Sequence, residues 1–356
     1  MAPLLDDGKT DVTAFNAQVE NQNAAFAAGD YELALRFNTD LQQLVDTLPD
    51  DRPGVKGMVA YDRAVILMRK GDTAAGIALL DEAYGRGDLQ AVGTANLPVD
   101  YYGTVMTTYI TALRKAGRPD WREVQDNFVG ELFEGEFSQT MLIANWTNVA
   151  MVALKDAGHV PEAIALCNRQ IAWFEANPQA ATPRGFAAVG RPTVFVSDNL
   201  EPAFVTGLAL RTGRYESNYA FLRADLEDTC GGAAEVAGDL EGAWGHRRAS
   251  LDWIRRQDET SYFRVIQLRL ARLLAFKGDD NLASQYLDLA LRGYGFHANG
   301  ADVSSEVCAN LEFVLDGTRR PAAEVAEKFR SLPLTKAVAG GLDCSPSPTT
   351  RANGAS

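Results

Sequence analysis

Side chains capable of covalent or metal chemistry are few and scattered. Histidine occurs three times, as His159, His246 and His297. None has a second His at i+4 or a neighbouring Cys, the spacing by which two ligands on one helix face close on a metal. The four cysteines, Cys167, Cys230, Cys308 and Cys344, stand 63, 78 and 36 residues apart, with no CxxC pair. A disulfide scaffold packs its cysteines more densely into a smaller chain. The expectation is therefore four buried or incidental thiols in a reducing compartment. No GxSxG, HExxH or Gly-rich phosphate loop ending in Lys-Ser/Thr occurs. Acidic pairs are frequent and read as a solvated face. With no nucleophile, base and oxyanion partner in view, the sequence points to a non-catalytic chain with no cofactor and no metal. Two short motifs are set aside: Arg86-Gly87-Asp88, a loop after a helix, and the sequon Asn145-Trp146-Thr147, inside a helical stretch.

Charge narrows the partners. The chain carries 47 acidic against 34 basic residues, a net charge of −13. That field repels phosphate backbones and anionic lipid, so nucleic acid is an unlikely partner and a membrane surface is disfavoured. No stretch approaches the roughly 18–20 apolar residues of a membrane helix. The segment Met1–Asp7 has neither a basic nor a long apolar region, so a cytoplasmic protein is expected, with a trimmed exported form left open. From His246 to Lys277 the sign reverses, with eight basic and three acidic residues, or +5. Two readings stand: helix-surface arginines paired with Asp252, Asp258 and Glu259, or a basic patch for an acidic peptide.

The elements that would position such groups repeat. An apolar helix end, a Gly-Asp-like turn and a second helix recur at Gly29, Gly71, Gly117, Gly158, Gly213, Gly238, Gly278 and Gly317. The intervals are 42, 46, 41, 55, 25, 40 and 39, with a mean step of about 41. Glycine ends each first helix because it accepts the left-handed conformation at low cost, and the adjoining Asp caps the next helix. A small residue five places on (Ala34, Gly76, Ala163, Ala243, Ala283, Ala322) lets the paired helices approach. Apolar spacing follows the helical period, as in Leu268, Ala271, Leu274 and Ala275. The one candidate strand is residues 192–196. The fold expected is all-α.

Gly29-Asp30-Tyr31-Glu32-Leu33-Ala34, with Pro49 closing the unit, resembles the tetratricopeptide-repeat family. The resemblance covers roughly residues 13–332, with a longer step than the family's 34 and few of its early aromatic positions. It implies a right-handed α-solenoid of about eight stacked helix pairs that binds a protein or peptide on its concave face. The family's groove positions fall on Asn23, Tyr61, Asp62, Thr107, Thr111, Arg114, Lys115, Asn145, Asn148, Lys155, Arg211, Arg269 and Arg272. Its chaperone-tail clamp is poorly matched, with Val19 in place of Lys and Asn23 alone retained.

Three segments lie outside the repeat: an arm over residues 1–12, a Pro/Gly-rich loop over 177–198, and a tail over 336–356 expected to be disordered and dispensable for stability. One repeat domain would then span 13–335. Cys230-Gly231-Gly232 implies a short or degenerate helix before the mark at Gly238. Arg184 and Arg191 on the loop, with Arg114, Lys155 and Arg211 on the wall, would set several cations along the groove and select a partner with an acidic segment. A signal-sensing module for a small ligand, and an enzyme with a site at the loop, remain as alternatives.

Overall fold

The computed structural model describes residues 12–47, 53–92, 99–134, 142–178, 215–255, 260–295, 301–315, 318–334 and 339–345. Six of the marker glycines, Gly29, Gly71, Gly117, Gly158, Gly238 and Gly278, end a helix with φ between 69° and 102°. Behind each, the next N–H reaches back to a carbonyl in the last turn, as Asp30 N does to Ala25 O at 3.0 Å and Asp279 N to Leu274 O at 3.0 Å. The same Asp then opens the following helix. Asp30, Asp72, Asp239 and Asp279 accept from the N–H three residues on, at 3.0, 3.2, 2.8 and 3.2 Å. One Gly-Asp dipeptide therefore closes one helix and caps the next. At the fourth mark His159 makes no such side-chain bond, and Pro161 sits in the first helical turn instead.

These turns join α1 (Val12–Ala27) to α2 (Tyr31–Asp46), α3 (Pro53–Lys70) to α4 (Thr73–Gly85), α6 (Val99–Lys115) to α7 (Trp121–Glu134), and α8 (Leu142–Asp156) to α9 (Val160–Ala176). A short α5 (Asp88–Ala91) follows α4. Further on come α10 (Tyr215–Val236) with α11 (Leu240–Ile254), α12 (Thr260–Lys277) with α13 (Asp280–Gly293), then α14 (Ala301–Ala309) and α15 (Ala322–Arg330). The protein is all-α, with helices packed in adjacent antiparallel pairs. The small residues do what their spacing suggests: Ala34, Ala163, Ala243 and Ala283 are each wholly buried between paired helices. An Ala283→Leu substitution should cost about 1–3 kcal/mol by overpacking. Asn281→Leu, on the exposed side of the same helix, should stay within about 0.5 kcal/mol in urea unfolding.

The described residues fall into two compact units, the first running to Trp146 and the second from Thr147 on. The first has a core around Phe15, Leu41, Val45 and Met58, the second around Leu274, Leu287, Val325 and Phe329.

Four expectations are corrected. The eighth mark, Asp316-Gly317, falls between strands β1 (Phe313–Leu315) and β2 (Thr318–Arg320), which pair antiparallel, so two strands and not two helices flank it. The degenerate helix before Gly238 is instead the 22-residue α10, running straight through Gly231-Gly232. A Cβ on Gly231 would lie 2.8 Å from Cγ of Arg247, so the missing side chain is the berth of an arginine stem and not a helix break. The tail is partly ordered: Leu342 is 1% exposed in the second core, beside a single turn at Ala339–Gly341. Finally, no described cysteine is free. Cys167 is bonded to Cys230 and Cys308 to Cys344. Spacing of 63 and 36 residues concealed both, because helix pairing brings distant positions together. Gly213 and the candidate strand 192–196 lie outside the described residues.

Candidate partner-binding face

On α6 the residues at 107, 111, 114 and 115 recur at helical spacing and share one side. Thr107 is buried, and its hydroxyl donates to the Gly103 carbonyl of its own helix, which removes it from any outer surface. Thr111 and Arg114 are half-buried and Lys115 is exposed. Arg114 and Lys115 occupy the last turn, where the negative end of the helix dipole favours cations. Around them, tyrosines fasten the first unit. Tyr61 meets Thr108 across α3 and α6 at 3.3 Å, and burial pushes its phenol up to about 12. Tyr109 donates to Asp81 of α4 at 2.6 Å, and the same carboxylate accepts from Arg118 at 3.0 Å. Tyr102 donates to Glu131 of α7, and burial, with Glu131 for Tyr102 and Asp81 for Tyr109, pushes both phenols up and keeps them hydrogen-bond donors.

In the second unit Asn148 is buried and donates to Asp225 at 2.6 Å, while Lys155 is half-buried beside Asp156 at 3.5 Å. Asn145 lies on α8, its side chain outside the described residues, as are Arg184, Arg191 and Arg211 whole. The first unit thus holds Thr111, Arg114 and Lys115, and the second holds Lys155.

Arg269 and Arg272, expected on the groove, belong instead to an internal ion network. Arg247, at 2% exposure, donates through Nε to Glu235 at 2.8 Å and through Nη1 to Asp228, both on α10. Arg272, at 4%, donates to the other Glu235 oxygen at 2.6 Å and to the carbonyls of Asn310 and Glu312 at 2.5 and 2.8 Å. Arg269 joins Asp228 to the Asn310 side chain, the latter at 3.2 Å. Burial raises the cost of charging Asp228 and Glu235, yet Arg247 with Arg269 or Arg272 overcomes it and holds both carboxyls below the usual range. Burial in turn pulls the Arg272 guanidinium down to about 10. Three elements, α10, α11 and α12, are pinned to the turn before β1. The first reading of the +5 segment, paired arginines, therefore describes Arg247, Arg269 and Arg272, except that their carboxylates come from α10 and are buried. Sequence reasoning missed Asp228 and Glu235, although a signal existed. Arg272 is flanked by Ala271, Leu273, Leu274 and Ala275, and an arginine in such a run is buried only if paired.

Beside this network, Glu227 accepts from Arg223 at 2.9 Å and meets His246 Nδ1 at 2.7 Å. Among the described residues no group of three or more His, Cys, Asp or Glu could hold a metal ion. No described helix is long and apolar enough to cross a membrane. The Arg86-Gly87-Asp88 loop is closed on itself: Asp88 is 5% exposed and Arg86 donates to it at 2.7 Å. Trp146 and Thr147 of the sequon are buried.

Fold and site together define an all-α protein of antiparallel helix pairs whose buried polar groups are fixed in packing roles. No protein-family model matches the chain, nor does any curated protein. Among solved structures it is similar to the TPR2AB-domain:pHSP90-complex of yeast Sti1, at 14% identity over 84% of this chain and 97% of that one. The TM-score is 0.28, so the class assignment rests on the helix pairs themselves.

Proposed function

We propose that the protein is a non-catalytic scaffold that holds a peptide or partner segment carrying acidic side chains. The observation that carries this is the recurrence of one turn design at six helix pairs, which gives each pair the same local geometry. A face built this way is ordered before its partner arrives, so little entropy is lost on binding. The cations of the proposal are Arg114 and Lys115 in the last turn of α6, within the first unit. In a chain of net charge −13, such positions select an anionic segment and speed its encounter. Arg269 and Arg272 drop out of the proposed face because Asp228 and Glu235 engage them.

The compartment proposed follows the cysteines. Two disulfides that use all four cysteines are stable where thiols are oxidised, so an oxidising compartment replaces the cytoplasm expected from the sequence. The binding test is selection from a displayed library of Asp/Glu-rich peptides at low salt. The wild-type chain should enrich acidic sequences. Arg114→Glu combined with Lys115→Glu should lose that enrichment at least tenfold with an unchanged melting curve. Enrichment that survives both substitutions would refute this face.

A further inference from the structure

The two disulfides stand in different surroundings. Cys167–Cys230 joins α9 to α10, and each of its cysteines is 2% exposed. Cys308–Cys344 ties the end of α14 to the segment 339–345 and is only partly buried at the margin of the second core. Among the described residues, Leu342 and Arg330 supply the main contacts besides that bond. Leu342 is buried in the cluster that contains Val325, Phe329 and Leu332, and Arg330 Nη2 donates to the Leu342 carbonyl at 2.8 Å. Its remaining order is local, one helical turn and a bond from Ser345 N to Asp343 Oδ1 at 2.9 Å. One apolar anchor and one guanidinium hold a segment that the backbone already tethers to α15, and the disulfide ties its far end to α14 as well, which keeps both contacts close. Leu342 meanwhile covers apolar side chains of α15, the last described helix of the second unit, and the open end of a helical stack needs such a cover.

We propose that Cys308–Cys344 is a thiol-exchange latch that fastens this strap over the end of the second unit and releases it on reduction. A thiolate of a dithiol reductant attacks one cystine sulfur. The S–S bond breaks, a mixed disulfide forms, and the other cysteine leaves as a thiolate that takes up a proton. The second thiol of the reductant displaces the first cysteine, so that two protein thiols and one oxidised reductant result. Cys167–Cys230, shut inside the helix pair, stays oxidised under the same conditions. The strap then detaches, and Leu342 uncovers its seat beside Phe329 and Leu332.

The test treats the full oxidised chain with dithiothreitol under native conditions and quenches aliquots with iodoacetamide for mass spectrometry. Cys308 and Cys344 should be alkylated at least about tenfold faster than Cys167 and Cys230. Hydrogen exchange over 339–345 should rise on the same time course. Equal rates at all four cysteines would overturn the proposal, as would reduction of Cys308–Cys344 that leaves exchange over 339–345 unchanged. The Cys308→Ser, Cys344→Ser double variant provides a second readout. It should keep the wild-type circular dichroism spectrum, exchange the strap rapidly without reductant, and show no change there on adding it. A strap that stays protected in this variant would equally end the proposal.

Discussion

Glu235→Gln should destabilise the second unit by about 3–5 kcal/mol, the cost of leaving buried Arg272 without its carboxylate and Arg247 with only Asp228 of its two. Both oxygens of Glu235 are in use, one by Arg247 Nε at 2.8 Å and the other by Arg272 at 2.6 Å, with all three residues nearly solvent-free. The neutral amide removes the compensating charge and presents an N–H where an acceptor is required. Urea unfolding followed by circular dichroism measures the loss. Glu235→Gln with Arg272→Met should cost less than the two single substitutions added together, by about 0.5–3 kcal/mol of coupling. A single-variant loss below about 1 kcal/mol with strict additivity would show that the network behaves like a surface ion pair.

The same network sets an acid limb. Asp228 and Glu235 have folded-state carboxyls held below their ordinary range by the arginines that face them, against the opposing effect of burial. Their contribution is therefore complete above the unfolded carboxylate value of about 4 and is lost as pH falls through the lower folded values. In Glu235→Gln the dependence of stability on pH below about 4 should be shallower than in the wild type, because one of the two titrating groups is gone.

The helix pairs were legible because their determinants are local. A Gly that must take positive φ marks six turns, and at Gly29, Gly71, Gly238 and Gly278 an Asp that must cap lies beside it, so these four can be read from dipeptides and the others from the Gly and its spacing. The readings that failed depended on tertiary neighbours. Gly231-Gly232 looks like a helix break when nothing reveals Arg247 lying across it. Asp316-Gly317 repeats the dipeptide of the earlier marks, yet Phe313–Leu315 and Thr318–Arg320 on either side are too short for helices and form a ladder. Leu342 looks like one apolar residue in a Gly- and Ser-rich tail until a core and a disulfide receive it. The functional side chains divide similarly. Thr111, Arg114 and Lys115 share a helix side by period alone. Arg269 and Arg272 share one too, and there the question of solvent or carboxylate was decided by α10, more than thirty residues earlier.

The disulfide between α9 and α10 carries the other large effect. Replacing both Cys167 and Cys230 by Ser should lower the melting temperature by about 10 °C. The closed loop spans 63 residues, for which chain entropy alone assigns a stabilisation of about 4 kcal/mol. In a unit of this size, each kcal/mol is worth about 2–4 °C. The bond also sits at a junction. Cys167 lies on α9 and Cys230 on α10, the helices on either side of residues 177–214. The same pair is joined by Phe174 edge-on to Tyr219, by the Tyr219 hydroxyl on the Phe174 carbonyl at 3.1 Å, and by Arg223 over the Phe174 ring. These contacts persist in the double variant, so the fold should survive at low temperature and the loss should appear as a shifted transition. Differential scanning calorimetry of the oxidised wild type and the variant gives the comparison. A thiol assay on the denatured wild type, expected to find no free cysteine, establishes its starting state. A variant that melts within about 2 °C of wild type would mean that these aromatic and arginine contacts already confine α9 against α10 in the unfolded chain, leaving the disulfide little entropy to remove.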